Sequence, residues 1–187
     1  MPSGQWARPS RVIAGGARQH AAVTCAAAHT RLPGVRAAVL TISTTIARGE
    51  GEDRSGPALV DLCAEAGLET VHEVVSDDRG AIAAALIRHA DAGARFVFTT
   101  GGTGMTLDDV TPEATRDVIE RDAPGYAETI RAESRTHTPL GILTRGISGI
   151  RGRTLIVNFP GSPKAIGQSW PVVAPTLKHA AATLERE

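Results

Sequence analysis

From Val35 onward, short apolar runs alternate with stretches in which apolar residues recur every three to four positions. The run "VRAAVLTIS" predicts a strand, and the 57–67 stretch, with its apolar stripe ended by Gly67, predicts a helix. "LETVHEVV" predicts a second strand and residues 81–92 a second helix. "ARFVFTT" predicts a third strand, which is apolar throughout, as is typical of a strand covered on both faces.

The second half of the chain continues the alternation. Thr111 is a candidate N-cap and Pro112 a candidate first helical residue, of a helix predicted to reach about Asp122. "APGYAETIRAES" predicts another helix, and "GILTRGISGIRGRTLIVNFPG" predicts short strands with glycine turns, the last being "RTLIVNF". The remainder is helical in pattern, and Pro171 and Pro175 are predicted to kink or divide it.

Strands that alternate with helices indicate βαβ units. The predicted fold is therefore a three-layer αβα sandwich with a mostly parallel central sheet. The length of 187 residues suits one domain, assigned here to residues 35–187. Residues 1–34 are basic and rich in small residues, so they are assigned to an N-terminal extension. It could be a transit peptide, a disordered tail or the product of a translation start placed too far upstream.

Charge and composition exclude several classes of function. The net charge is zero, but residues 1–33 contain four arginines and no acid, so the rest of the chain has 16 basic and 20 acidic residues. Residues 34–187, with a net charge of −4, lack the broad cationic surface of a nucleic-acid-binding protein. No apolar run is long enough to span a membrane. We therefore expect a cytoplasmic protein with neither a nucleic acid nor a membrane as partner.

The two cysteines, Cys25 and Cys63, lie far apart and form no CxxC pair. This spacing indicates neither a zinc site nor a disulfide framework. Cys63 falls on the apolar stripe of the first predicted helix, so we expect a buried thiol.

Three polar segments begin where predicted strands end: "TISTTIARGEGEDRSG", "TTGGTGMTLDDVTPEAT" and "NFPGSPKA". In parallel α/β sheets, ligands bind at the carboxyl ends of the strands. The three segments are therefore expected to form a single site along one edge of the sheet.

The second segment combines a glycine-rich turn with carboxylates. Its three glycines can bring consecutive N–H groups to an anion, and the neighbouring threonines (Thr99, Thr100 and Thr103) add hydroxyl groups. A tight strand-to-helix turn is the alternative, and the spacing matches neither a P-loop nor GxGxxG. Asp109 beside a phosphate site suggests Mg²⁺ between the two, although Asp109 could instead cap the following helix. Asp108 is expected to be a solvated neighbour.

A second acidic pair, Asp77 and Asp78, ends the second predicted strand. One of these carboxylates could share the metal or orient a nucleophile, whereas the alternative is an N-cap for the helix starting near Arg79. In the third segment, Asn158 and Ser162 offer polar contacts, and Ser162 can cap the last helix. Lys164 lies in the first turn of that helix, where the dipole disfavours a cation unless an anion is near.

Together these motifs resemble the MoaB/Mog family of molybdenum-cofactor biosynthesis proteins. The matching stretches are "GEGEDRSGPAL", "TTGGTG", "DVTPEAT", "PG" at 124–125 and "NFPGSPKA", which occur in the family's order. The resemblance implies a three-layer α/β fold, assembled as a trimer or a dimer of trimers. It also implies transfer of AMP from ATP to the phosphate of molybdopterin, with release of pyrophosphate and a requirement for Mg²⁺. A downstream molybdenum insertase is an implied partner.

Carried over by motif, the resemblance implies that Asp77 and Asp109 are catalytic and bind the metal. It implies that a larger set of residues binds the substrates: Thr100, Gly101, Gly102, Thr103, Gly104, Thr111, Glu113, Asn158, Gly161, Ser162 and Lys164. The chain departs from common family residues at Thr44, Ser76 and Asp108. A catalytically inactive pterin-binding paralogue or scaffold is therefore an alternative. A third hypothesis is a nucleotide-binding domain related to those fused to damaged-nucleotide repair enzymes.

Overall fold

A computed structural model describes residues 31–186. The strands are β1 Arg36–Ile42, β2 Glu69–Val75, β3 Phe96–Thr100, β4 Arg121–Asp122, β5 Ser148–Arg151 and β6 Thr154–Phe159. The helices are α1 Thr44–Ala47, α2 Ser55–Glu65, α3 Arg79–Asp91, α4 Thr111–Val118, α5 Gly125–His137 and α6 Pro163–Leu184, with a 3-10 helix at Pro139–Leu143. The three strands and the helices predicted before residue 100 are confirmed, with small shifts in their ends.

The six strands form one sheet in the order β2-β1-β3-β6-β5-β4. Strands β2, β1, β3 and β6 are parallel, whereas β5 runs antiparallel to both β6 and β4. The carboxyl ends of the four parallel strands therefore lie at one edge, as the sequence predicted.

Alternate residues of the central strands pack on opposite faces of the sheet. Val39 and Phe98 belong to one core with residues of α2, α5 and α6, while Leu40 and Val97 belong to a second core with residues of α3 and α4. Helices thus cover both faces, which explains why β3 is apolar throughout. The predicted three-layer αβα sandwich is confirmed.

Helix α4 differs from its prediction at both ends. Thr111 is its first residue and Val110 takes the N-cap position, because the Thr111 hydroxyl donates to the Gly101 carbonyl at 3.0 Å. The helix ends at Val118 rather than near Asp122, since Arg121–Asp122 pairs with β5. The prediction used local capping signals and could not detect this antiparallel edge strand.

The last helix is a single helix of 22 residues that contains both Pro171 and Pro175, so the prolines do not divide it. A proline inside a helix costs about 3 kcal/mol. That cost is offset by an apolar face buried against the sheet and α2. The face consists of Ile166, Trp170, Val173, Leu177 and Ala181. One further prediction was wrong: "GIL" at 141–143 is part of the 3-10 helix and not of a strand.

The packed fold begins slightly before the predicted boundary. Leu32 is buried in the core of the α2 and α6 face, and its N–H donates to Ala66 at 2.9 Å. The rest of the predicted extension, residues 1–30, lies outside the described residues. None of the helices between residues 31 and 186 has the length and apolar character needed to cross a membrane.

Cys63 is fully buried on α2, as predicted, and burial raises the pKa of its thiol to about 12. Only the thiolate reacts with thiol reagents, and at pH 8 that pKa leaves roughly one part in ten thousand ionised. We expect Cys63 in a Cys25→Ser variant to be unreactive toward a disulfide reagent at pH 8. Full reaction is expected in denaturant. The absorbance of the thiol released from the reagent measures the reaction with the folded and with the unfolded protein. Rapid labelling of the folded protein would contradict the burial of Cys63.

Candidate active site

The segments that follow the parallel strands meet at one edge of the sheet. The N–H of Ser43, after β1, donates to the Val75 carbonyl at the end of β2, at 2.9 Å. The backbone of Gly101, after β3, lies so close to β1 that a Cβ there would be 2.4 Å from the Ile42 carbonyl oxygen. A Cβ on Gly161, after β6, would be 3.2 Å from the Gly101 Cα. The predicted convergence of three distant segments is therefore observed.

The glycine turn has a conformation that requires glycine at two positions. Gly101 has φ +99° and Gly102 φ +61°, and a Cβ on Gly102 would lie 2.3 Å from the Thr111 hydroxyl oxygen. Both carbonyls are bound by Thr111, whose hydroxyl donates to Gly101 and whose N–H donates to Gly102. Within residues 31–186, Gly102 and Thr103 donate no N–H to a protein acceptor. These two amides are therefore available to an anion.

The threonines of this segment hold the loops together. Thr99, Thr100 and Thr103 are buried, and the Thr100 hydroxyl donates to the Pro160 carbonyl at 2.9 Å. Thr111 is also buried, with its hydroxyl on Gly101. The hydroxyl groups of Thr100 and Thr111 thus join the glycine turn to neighbouring segments, and their predicted contact with substrate stays a prediction.

Asp109 is braced by the turn that precedes it. Its Oδ2 accepts from the Thr106 N–H at 2.8 Å and from the Thr106 hydroxyl at 2.6 Å. Burial works to raise the pKa of Asp109, but these hydrogen bonds, one from the Gly104 backbone and the charge of Arg145 outweigh it. The pKa of Asp109 therefore lies below its ordinary value, so the carboxylate is charged at neutral pH.

Sequence reasoning missed Arg145, which joins the glycine turn to α4. Its Nε donates to the Gly104 carbonyl at 2.6 Å, its Nη2 to the Asp109 carbonyl, and its Nη1 pairs with the Glu113 carboxylate. The Arg145 N–H also donates to the Thr103 carbonyl at 2.8 Å. Arg145 thus holds three parts of the segment in register. An isolated arginine between Thr144 and Gly146 gave no signal of this role.

Glu113 is engaged by Arg145. The hydrogen bond from Arg145 holds the pKa of Glu113 below its usual range. Asp109, Glu113 and Arg145 line a cavity of about 350 Å³, together with Met105 and Leu107, whose side chains are largely exposed. The charged groups of this segment therefore face a space that can admit a ligand.

The two aspartates after β2 have different roles. Asp78 is the N-cap of α3, since its Oδ1 accepts from the Ala81 N–H at 2.7 Å. Asp77 is joined to Thr44, whose N–H donates to the Asp77 Oδ2 at 2.6 Å and whose hydroxyl accepts from the Asp77 N–H at 2.9 Å. The capping alternative thus applies to Asp78, and Asp77 lies at the edge where the site was predicted. Asp108 is exposed, as expected.

Asn158 lies in β6 with only 2% of its surface exposed. Its Nδ2 donates to the hydroxyls of Thr99 at 2.9 Å and Thr115 at 3.0 Å, and its Oδ1 accepts from the Ile147 N–H at 3.1 Å. The carboxamide therefore connects four segments beneath the site. Its predicted contact with substrate stays a prediction.

We expect Asn158→Asp to destabilise the protein by about 2–4 kcal/mol at pH 7, because it buries a charge without changing the shape of the side chain. Burial raises the pKa of the new carboxyl group above its unfolded value. The loss should therefore be small near pH 4 and grow as the pH rises. Urea unfolding measures it, with Thr115→Val as a control that removes one hydrogen bond and costs about 1 kcal/mol. Equal stability of Asn158→Asp and the unmodified protein at pH 7 would contradict this account.

The third segment presents exposed groups. Gly161, Ser162 and Lys164 are exposed, and Ser162 takes the N-cap position of α6 as predicted, although its hydroxyl makes no capping hydrogen bond. Within the described part of the chain, Lys164 has no recorded ion pair. An unpaired cation in the first turn of a helix is unfavourable without a nearby anion. The geometry at Lys164 is therefore compatible with a bound phosphate.

The motif "GEDRSG" has a structural explanation. The Thr41 hydroxyl donates to the Asp53 Oδ2 at 2.6 Å, and the His72 Nε2 lies 2.9 Å from the same hydroxyl. The Asp53 Oδ1 also accepts from the Gly56 N–H at 2.9 Å. A Cβ on Gly56 would lie within 2.5 Å of all three side chains. The motif thus fixes the start of α2 against β1 and β2.

The carboxylates at this edge suit only a partial cation site. Among residues 31–186 there is no cluster of three histidine, cysteine, aspartate or glutamate side chains that could hold a metal. One oxygen of Asp77 and one of Asp109 are already hydrogen-bonded by Thr44 and Thr106. Mg²⁺ commonly binds one or two carboxylates together with water and substrate phosphate. The residues therefore fit a cation whose coordination the substrate completes.

Comparison with known proteins identifies the domain. A family model described as a probable molybdopterin binding domain matches residues 38–179. The molybdopterin adenylyltransferase of Helicobacter pylori strain J99 is 39% identical over 145 residues, which cover 75% of this chain and 82% of that protein.

Solved structures of similar proteins share the fold of this chain. The Mog protein from Mycobacterium ulcerans superposes with a TM-score of 0.76 and 33% identity, covering 80% of this chain and 98% of that one. MoaB from Thermus thermophilus has a TM-score of 0.73 and 39% identity, covering 80% of this chain and 96% of that one. With the fold, the convergent segments and the matching domain in agreement, the chain belongs to the MoaB/Mog family of molybdenum-cofactor biosynthesis proteins.

Proposed function

We propose that the protein is a molybdopterin adenylyltransferase, which transfers AMP from ATP to the terminal phosphate of molybdopterin and releases pyrophosphate. The observation that carries the proposal is the 39% identity to an adenylyltransferase over 75% of the chain. The site supports it independently, because it combines free backbone amides, an exposed lysine and charged carboxylates at one edge of the sheet. A transfer between two phosphate-bearing substrates needs these groups.

The attacking oxygen in this reaction belongs to a phosphate that is already ionised at neutral pH. It needs no strong base, so catalysis can rest on positioning and on neutralising charge. We assign the free N–H groups of Gly102 and Thr103 to a substrate phosphate and Lys164 to a second anionic group. Arg145 and Thr111 hold the glycine turn in the required shape.

Asp109 and Asp77 are the residues that would hold Mg²⁺. The cation supplies positive charge that lets phosphate groups approach these carboxylates. The bracing of Asp109 by Thr106 fixes the direction of its carboxylate before substrate arrives. The pairing of Asp77 with Thr44 does the same for the Asp77 carboxylate. A homotrimer or hexamer that serves a molybdenum insertase is part of the same proposal.

The proposal is tested by incubating the purified protein with molybdopterin, ATP and Mg²⁺ and measuring pyrophosphate release. Release that depends on all three components is the expected result, and it should persist in a variant that begins at residue 31, which keeps the buried Leu32. Tight pterin binding without release, in folded protein, would instead select the inactive paralogue. Binding of ATP without any pterin affinity would favour a nucleotide-binding domain of another pathway.

A further inference from the structure

A second cavity, of about 460 Å³, lies at the edge of the sheet opposite the candidate active site. Its wall contains four arginines, at or next to the ends of strands: Arg36, Arg95, Arg151 and Arg153. Among the residues that the structure describes, Asp91 and Glu120 are the acids that line it. Within that part of the chain, arginines outnumber carboxylates in the lining of a concave surface that the proposed reaction does not use.

Arg151 is incompletely paired within the described residues. Its Nε is buried and has no hydrogen-bond partner. The nearest carboxylate oxygens are those of Asp91, 3.6 Å from Nη2, and Glu120, 3.9 Å from Nη1. Both separations exceed hydrogen-bond length, and both acids are more than half exposed. A guanidinium has five donors, and a buried donor without an acceptor is unfavourable. The Nη1 and Nη2 groups of Arg151 have no carboxylate within hydrogen-bond length, so they have donors for an acceptor from outside the described residues.

Arg95 and Arg36 shape the rest of the cavity. Arg95 donates to the Arg153 and Leu184 carbonyls, and lies 3.3 Å from a carboxylate oxygen of the exposed Glu185. Gly93, with φ +83°, lets Arg36 approach closely, since a Cβ there would be 2.5 Å from the Arg36 Nη2.

We propose that this cavity binds a small anion with one or more phosphate groups. Arginine side chains recognise phosphate through paired N–H donors, and an incompletely hydrogen-bonded guanidinium provides them. The volume falls within the range of about 300–1,000 Å³ that is typical of small-molecule sites. A cavity of this size suits a compact ligand such as free pyrophosphate or the phosphates of a nucleotide. The site is separate from the glycine turn and does not depend on the proposed adenylyl transfer.

The test is a titration of the full chain with inorganic pyrophosphate at low salt without divalent metal, followed by amide NMR. Gly93 and Gly152 report on this cavity, and Gly101 and Gly102 on the candidate active site. We expect shifts at Gly93 and Gly152, and at least about tenfold weaker binding there in Arg151→Gln. The response at Gly101 and Gly102 should be unchanged by that substitution. Arg135→Gln, an exposed arginine of α5, is the matched control and should bind like the unmodified protein.

A second variant and a second ligand complete the test. Arg36→Gln provides a second variant if Arg151→Gln unfolds, and circular dichroism checks both folds. A parallel titration with ADP distinguishes the sources: tighter binding than pyrophosphate indicates a nucleotide, and equal binding indicates a site for phosphate groups alone. The proposal is overturned if Gly93 and Gly152 do not shift up to about 10 mM ligand, a concentration that corresponds to negligible affinity. Unchanged affinity in both folded arginine variants would also overturn it.

Discussion

Asp109→Asn is expected to reduce pyrophosphate release by about 10²–10³-fold, because a neutral amide binds Mg²⁺ more weakly than a carboxylate does, and losses of this size are typical when one electrostatic stabiliser of the transition state is removed. Asparagine suits this test because its side-chain oxygen can still accept both hydrogen bonds from Thr106, so the turn keeps its shape. The substitution removes mainly the negative charge. Molybdopterin binding should stay within a few-fold of the unmodified protein, since the free amides of the glycine turn are untouched.

Asp108→Asn is the matched control, because it makes the same chemical change at the preceding residue, which is exposed. We expect it to retain at least about half of the activity, as is usual for surface substitutions. Initial rates of pyrophosphate release, measured with saturating ATP, compare the two variants. Equal rates in Asp109→Asn and Asp108→Asn would show that the charge of Asp109 has no role in the transfer.

The sequence predicted the convergence of these segments better than it predicted the partners of their side chains. The spacing of apolar residues identified the parallel strands. Because the carboxyl ends of parallel strands share one edge of the sheet, local patterns were enough to predict that the segments after Ile42, Thr100 and Phe159 converge. Side-chain partners did not follow. Asn158 bonds to Thr99 and Thr115, which are 59 and 43 residues away, and no local pattern encodes such pairs.

The same limit explains why Arg145 was missed. It lies in an irregular segment between the 3-10 helix and β5, where the spacing of apolar residues gives no information about contacts. Its partners, Gly104, Asp109 and Glu113, are 32 to 41 residues earlier in the chain. Conversely, the glycines of the turn answer a local requirement, because two consecutive residues with positive φ strongly favour glycine.

Gly101→Ala is expected to have the largest effect on the fold and site together. Two costs combine at this position: a positive φ, which costs about 1–2 kcal/mol for a residue with a Cβ, and a clash with the Ile42 carbonyl oxygen at 2.4 Å. That oxygen belongs to the buried backbone of β1 and cannot rotate away like a side chain. The turn must therefore move, and displacement of a phosphate-binding turn by about 1 Å can reduce the rate about 100-fold.

Gly49→Ala separates the two costs. Gly49 has a φ of +75°, also positive, but a Cβ there would meet no atom within 4 Å. We expect Gly49→Ala to lose about 1 kcal/mol of unfolding free energy and Gly101→Ala about 3 kcal/mol or more, the excess being the clash. Urea unfolding gives both values, and pyrophosphate release gives the effect on the site. Gly101 lies against β1 and Gly49 does not, so activity should fall in Gly101→Ala and remain in Gly49→Ala. If the two variants lost equal stability and activity, the approach of the turn to Ile42 would not be needed to form the site.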